Sequence, residues 1–283
     1  MGDSEDPLMK VLEASIQKLR DKSDEHEKIR ASVEYRSETD FLRRTISDFI
    51  HTLRVCEIAA SRWEDFGKKY LLPRHFDDIV EAALTAQLAI ENGALNPARR
   101  ELRYMLEVSV NIAYVDEIRA KDSFEERIAY YRGKTVKKSN VDHVFELPFR
   151  LLGESKEEFA SSVQSAWVRA SNYVHLTKRR IDEKLRLREA GVTLGMETVE
   201  MFRDVVSEVH EACSIVVILT FETIGPSFTG DLLVNALDEN DQWVFHGSGY
   251  IAAIDSYFDY KHERQKRLKE IGDRRAGRVK YPV

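Results

Sequence analysis

Cysteine, proline and glycine are scarce in this chain of 283 residues, which contains 2, 6 and 13 of them. Two cysteines, Cys56 and Cys213, are too few for a disulfide framework or a cysteine metal site, so we expect buried thiols. Few glycines and prolines interrupt long stretches of Glu, Lys, Arg, Leu and Ala, and the sequence therefore predicts an all-α protein. The hydrophobic content of 43% supplies a buried core and excludes a disordered chain.

Several functional motifs are also missing. The sequence has no run of about 18 apolar residues and no basic-then-apolar leader, which predicts a cytoplasmic protein without a membrane span. It has no His-Glu-x-x-His, P-loop or Gly-x-Gly-x-x-Gly motif, so we expect neither a metal nor a nucleotide cofactor. His210 and His262 each precede a glutamate on a charged helix, and we expect both to lie at the surface.

Apolar residues at spacings of three and four indicate where the helices lie. The predicted long helices cover 7–29, 37–66, 77–90, 97–118 and 196–224. Ser155 begins a Ser-x-x-Glu capping box, which predicts a helix from there towards residue 171. Proline disfavours helix in the residue before it, so Leu72-Pro73 and Gly225-Pro226 are predicted boundaries. The resulting domains are a helical N-terminal arm (1–72), a helical bundle (73–225) and a C-terminal helical extension with a basic tail (226–283).

The first predicted helix carries a narrow apolar stripe on an otherwise charged surface. The stripe consists of Leu8, Val11, Leu12, Ile16 and Leu19. Such a stripe needs a second helix to cover it. The sequence leaves two partners open, the following helix of the same chain or a second subunit.

Charge is distributed unevenly, although the formal net charge is only -6. Residues 261–283 contain nine lysines or arginines against three acids, and residues 169–188 contain seven against two. Clusters of this kind attract polyanions whatever their sequence, so RNA or DNA is a predicted partner. The alternative is a solvated basic surface that binds nothing.

Arg169 and His175 are the residues most suggestive of chemistry. Arginine holds a phosphate oxygen with two hydrogen bonds, and histidine exchanges protons near neutral pH. On one straight helix the two side chains would lie about 9 Å apart along the axis and about 120° apart around it. A kink, or a two-fold axis that sets two copies side by side, would be needed to bring them together. Otherwise Arg169 pairs with a surface acid while Tyr173, Val174 and His175 pack in the bundle.

The Arg-x5-His spacing, with Asn172 between, resembles the signature of the HEPN superfamily of helical proteins. That superfamily includes many metal-independent RNases of toxin–antitoxin and phage-defence systems. The apolar helix 102–114, with its Arg103-x3-Glu107 step, and the later segment 171–175 are similar to uncharacterised bacterial HEPN-like families. The resemblance covers roughly residues 74 to 225. Arg103 and Glu107 are also expected to form an ordinary i,i+4 ion pair, or else to shape the cleft.

This resemblance implies a HEPN-like bundle that forms a homodimer and cleaves RNA without a metal, in phage defence or as a toxin. Arg169 would stabilise the charge on the phosphate, and His175 would act as general acid and base. The residues expected to contact substrate are Ser171, Asn172, Tyr173, Lys178 and Arg179. A protein inhibitor or antitoxin is a further expected partner. The alternative is a non-catalytic dimeric module that binds nucleic acid or protein.

Overall fold

The computed structural model describes residues 7–62, 70–135, 140–173, 181–182, 185, 188, 195–237 and 239–281. Within these ranges the chain is all-α, as predicted, and its extended pairing is limited to an isolated bridge between Ser248 and Tyr281. The described α-helices are α1 (Pro7–Arg30), α2 (Val33–Ala60), α3 (Phe76–Glu91), α4 (Leu95–Ile118), α5 (Phe124–Tyr130), α6 (Lys156–Ser171), α7 (Val199–Asp231), α8 (Gly249–Tyr257), α9 (His262–Gln265) and α10 (Leu268–Arg278).

The core is formed by five helices, with α4 and α7 at its centre. Helix α4 packs against α3, α6 and α7, and α7 also packs against α2. The predicted apolar stripes are the faces that meet, and Phe49 of α2, Leu102 of α4 and Val209 of α7 are all buried. Each such side chain stabilises the fold by about 1.5–3 kcal/mol. Helix α2 thus shares one hydrophobic core with the bundle, while the division of the chain at residue 72 stays a prediction.

The predicted helices are present, but several of them begin or end at other residues than predicted. Helix α2 begins at Val33, four residues before the predicted start, because the hydroxyl of Ser32 accepts a hydrogen bond of 3.2 Å from the backbone N–H of Tyr35. Helix α4 begins at Leu95 rather than at Pro97. The sequence predicts one final helix from about Tyr250 into the basic tail, but the structure has three helices there, α8, α9 and α10, with short turns between them.

Of two predicted helix signals, one works differently in the structure and one is confirmed. Ser155 precedes α6 as expected, but its side chain caps nothing because the residue lies in a 3₁₀ turn, outside the extended conformation that capping needs. The predicted stop at Gly225-Pro226 is a true break in the helix. Gly225 has the non-helical values φ 80° and ψ 175°, and a second helical part begins at Pro226, so α7 consists of two helical parts joined at a kink. Thr229 donates from its hydroxyl to the carbonyl of Phe221 across the kink, at 2.9 Å.

The apolar stripe of α1 stays exposed on the described chain. All five of its residues, from Leu8 to Leu19, are at least 41% exposed. The C-terminal end of α1 meets the rest of the described chain, where Arg30 of α1 and Tyr35 of α2 both donate hydrogen bonds to the buried Glu197, at 2.9 and 2.5 Å. The second partner left open by the sequence, another subunit, therefore stays a prediction.

By length and composition, the segment Val199–Leu237 is able to cross a membrane. In this fold 67% of its most apolar window is buried inside the protein, where it forms the centre of the helical core. A core helix and a membrane span both meet the same criteria, so the predicted cytoplasmic location stays a prediction.

Candidate functional site at the end of α6

The predicted site begins at the C-terminal end of α6. Arg169 lies in its last turn, Ser171 is its last residue, and Asn172 and Tyr173 follow directly. The other predicted site residues, His175, Lys178 and Arg179, lie outside the described part of the chain. The structure therefore gives the surroundings of the arginine half of the motif.

Arg169 is held by an acid from another helix. Its Nη2 atom donates to Oε2 of Glu211 on α7, and the two side chains are 46% and 34% exposed. An ion pair between side chains this exposed contributes about 0–1 kcal/mol. The pairing with a surface acid that the sequence allowed is thus present. An anion that approached Arg169 would therefore have to displace only this weakly bound glutamate.

Tyr173 packs against α4. The guanidinium of Arg99 lies 4.3 Å from the centre of the Tyr173 ring, and the backbone carbonyl of Tyr173 accepts a hydrogen bond of 3.3 Å from Nε of Arg100. Arg99 is itself buried and makes a two-point contact with Glu208 of α7, at 2.6 and 3.1 Å. One face of the tyrosine is consequently covered by a cation of the protein.

A second arginine and aromatic pair lies one turn further along α4. Arg103 lies 5.3 Å from the centre of the Trp167 ring, and its Nη2 is 3.5 Å from Oε2 of Glu107. The same glutamate oxygen accepts from Nε1 of Trp167 at 3.4 Å. The predicted i,i+4 ion pair between Arg103 and Glu107 is confirmed. The contacts of Arg103 and Glu107 orient the ring of Trp167, which lies on α6 two residues before Arg169.

The two small polar residues of the motif have different surroundings. The backbone N–H of Asn172 bonds to the carbonyl of Val168 at 3.2 Å and closes the last turn of α6. The hydroxyl of Ser171 is shielded from solvent and has no hydrogen-bond partner within the described chain. A buried hydroxyl without a partner is costly, so this group is suited to accept a bond from another side chain at the same place.

The electrostatics of this site are balanced. Arg99, Arg103 and Arg169 each face a glutamate, and Arg169 shares one small cavity with Glu208 and Glu211. Arg99, Glu208 and Glu211 are not among the site residues predicted from the sequence. They lie on α4 and α7, far from residues 169–175 in sequence, and no local pattern connects them.

The basic tail is folded and largely neutralised. Arg264 is buried and donates to Asp255 at 2.6 Å, and Arg275 bonds to both Asp255 and Asp259, each at 2.6 Å. Arg278 pairs with Asp241. These contacts attach α9 and α10 to α8 and reduce the positive charge expected from the sequence alone. The predicted attraction of a polyanion to 261–283 is correspondingly weaker.

One histidine prediction is wrong. His210 is not at the surface but 2% exposed, because its face of α7 turns inward among aromatic rings. Among the described residues, no group of three or more His, Cys, Asp or Glu side chains is arranged to hold a metal ion. In comparisons with protein-family models, with curated proteins and with solved structures, nothing matches this chain.

Proposed function

We propose that this chain is a metal-independent endoribonuclease built on a HEPN-like bundle, in which the end of α6 binds the RNA backbone. The observation that carries the proposal is the position of Arg169. It lies at the surface, its only ion pair within the described chain is with the exposed Glu211, and it directly precedes the polar segment 171–179. The resemblance to HEPN proteins supplies His175 as the second catalytic group.

The proposed reaction uses the RNA's own 2′-hydroxyl as the nucleophile. Its oxygen attacks the adjacent phosphorus, and the bond from phosphorus to the 5′-oxygen of the next nucleotide breaks. His175 takes the 2′-hydroxyl proton and returns a proton to the departing 5′-oxygen, so the proton count is unchanged. Arg169 exchanges Glu211 for a non-bridging phosphate oxygen and stabilises the charge that builds there. The products carry a 2′,3′-cyclic phosphate and a 5′-hydroxyl.

The remaining predicted residues assist in this proposal. Ser171 supplies a hydroxyl to orient the imidazole, Asn172 contacts a phosphate oxygen, and Tyr173 stacks on or bonds to the substrate. Lys178 and Arg179 add positive charge for the flanking phosphates. A homodimer sets the two copies of this segment beside each other, so that one cleft holds both arginines and both histidines. Phage defence or a toxin role, under the control of an inhibitor, follows from the same resemblance.

A non-catalytic HEPN-like module is the second candidate, and one observation favours it. The arginines of the site are already neutralised by glutamates, which is typical of a structural layer as well as of a resting site. In that case the end of α6 binds nucleic acid or a protein, or pairs two subunits, and His175 transfers no proton.

The experiment is an RNA cleavage assay in EDTA on the wild type, Arg169→Ala, His175→Ala and the control Arg36→Ala, which removes an exposed arginine of α2. We expect 2′,3′-cyclic phosphate ends with the wild type and the control, and none with the two site variants. Cleavage that survives His175→Ala rejects the assigned site. An inactive wild type that binds RNA, and loses that binding in Arg169→Ala, identifies the non-catalytic module.

Glu211→Gln gives a sharper test of the role of Arg169. Removing the carboxylate charge frees the guanidinium, and because an exposed pair contributes at most about 1 kcal/mol, we expect RNA to bind up to about fivefold more tightly. Glu154→Gln, at an exposed glutamate before α6, is the matched control and should leave the affinity unchanged. Weaker binding in Glu211→Gln would show that the glutamate orders the site instead of competing with the phosphate.

A further inference from the structure

A cleft of about 580 Å³ opens where α7 is kinked, away from the end of α6. Its walls come from the C-terminal half of α4, the loop at Arg150 and the segment of α7 around Gly225. Glu222 in this cleft is eleven residues beyond Glu211 on α7, which separates the two along the axis by about 16 Å. The volume is in the range of small-molecule sites, about 300–1,000 Å³.

Two features of the backbone set this region apart. Gly225 has φ and ψ values that essentially only glycine adopts, and it separates the two helical parts of α7. Phe149, in the loop opposite, has a φ of 41°, the left-handed conformation that is uncommon for a bulky residue. Strained backbone of this kind is concentrated at ligand-binding sites, where the surrounding structure holds it in place.

The cleft has more carboxylates than cations. Asp116 is buried and pairs with Arg127 at 3.1 Å, and Glu117 pairs with Arg150. Glu222 accepts two backbone hydrogen bonds at Oε1, from Leu151 at 2.9 Å and Leu152 at 3.1 Å, and the charge of Arg150 also acts on it. Among these described residues, two arginines therefore serve three carboxylates.

Burial of the Glu222 charge is only partly compensated. Desolvation raises the pKa of Glu222 above its usual range, although the backbone donors of the Arg150 loop and the charge of Arg150 oppose the shift. A buried carboxylate is normally paired with a cation or neutralised by a proton. A cation that enters the cleft would complete this compensation.

The rest of the lining suits an apolar ligand body. Ala113 and Ala120 line the α4 side, and Ile224, Pro226 and Phe228 line the α7 side. We propose that the cleft binds a small organic cation, an ammonium group on an apolar body, with Glu222 as its counter-ion. The ammonium donates to the carboxylate of Glu222, while the hydrocarbon lies against the alanine and phenylalanine surfaces. This site is separate from the proposed RNA site and does not depend on it.

Tryptamine and tryptophol are suitable probes because they share an apolar body and differ in an ammonium against a hydroxyl group. Binding to the full chain is measured by isothermal titration calorimetry. For the wild type we expect one saturable tryptamine site and at least about tenfold weaker binding of tryptophol, as charge-assisted hydrogen bonds contribute more than neutral ones. Equal binding of the two compounds, or no saturable binding of tryptamine, overturns the proposal.

Glu222→Gln separates the ligand role from the loop contact. Glutamine keeps an oxygen that accepts from Leu151 and Leu152 but loses the charge, so the fold is retained and tryptamine affinity falls at least about tenfold. Glu101→Gln removes a charge elsewhere on α4 and should change nothing. Unchanged tryptamine affinity in Glu222→Gln shows that the residue only anchors the loop. If this variant does not fold, the comparison of the two probes on the wild type decides.

Discussion

Acidification should destabilise this protein through one buried histidine. The ring of His210 lies 4.7 Å from the ring of Tyr281 and 5.5 Å from that of Phe245, and its Nε2 lies 3.3 Å from the carbonyl oxygen of Val244. Burial lowers the pKa of His210 from 6.5 to about 4, with a smaller contribution from Lys280. Protonation therefore requires a charge to be placed among aromatic rings or the local structure to open.

The magnitude follows from the two pKa values. The unfolded chain binds the proton near pH 6.5 and the folded chain near pH 4. Between these values the unfolded state binds more protons, so the stabilisation is fully present above pH 6.5 and is lost as the pH falls towards 4. At about 1.36 kcal/mol per pH unit, lowering the pH from 7.5 to 4.5 should reduce the free energy of unfolding by about 2.5 kcal/mol through His210 alone.

The assay is urea unfolding at pH 7.5 and 4.5, followed by tryptophan fluorescence, since the buried Trp243 lies 5.5 Å from Phe245 in the same cluster. Carboxylates titrate over the same range, so the measured quantity is the difference between variants. His210→Phe cannot titrate and should lose about 2.5 kcal/mol less than the wild type. The control His51→Gln, at an exposed position of α2, should follow the wild type. An equal pH dependence in wild type and His210→Phe would refute the reasoning.

Two further stability predictions concern the walls of the cleft. Gly225→Ala should lower the free energy of unfolding by about 1–3 kcal/mol, because alanine is strained at φ 80° and ψ 175°. The loss comes from the backbone alone, since a Cβ at this position meets nothing within 4 Å. Gly272→Ala, within α10, is the control and should cause no loss of stability in the same urea titration. Arg127→Met should cost about 3–5 kcal/mol, since it leaves Asp116 buried without its cation. The double variant with Asp116→Asn should recover part of that loss, and a strictly additive double variant would contradict the pairing.

The sequence located a helix well wherever the residues that form the helix or its end are neighbours in the sequence. The apolar stripe of α1 is one example. The Asn92-Gly93 pair after α3 is another, because Gly93 has the positive φ of 70° that favours glycine at a helix end. Ser155 and Ser123 show where sequence signals for helix starts fail. Both precede helices, yet the capping box forms at Ser123, because only this residue has the extended backbone that lets its hydroxyl reach the N–H of Glu126.

The candidate site was predicted only in part. The arginine of the motif is at the surface at a helix end, but the acids and arginines around it come from α4 and α7. Those residues are ordinary members of charged helices, and only packing brings them together. The cleft at Gly225 was missed for the same reason, since the sequence indicated the break in the helix but not the helix and the loop that pack around it.

The sequence by itself determined that the chain is all-α and which residues form the apolar face of each helix, because helix propensity and a spacing of three and four act over one or two turns. Tertiary structure decided which charges are neutralised, where His210 is buried and which arginines serve the carboxylates of the cleft. Those properties depend on the distance and the dielectric between groups that are far apart in sequence, and both are set only when the helices pack.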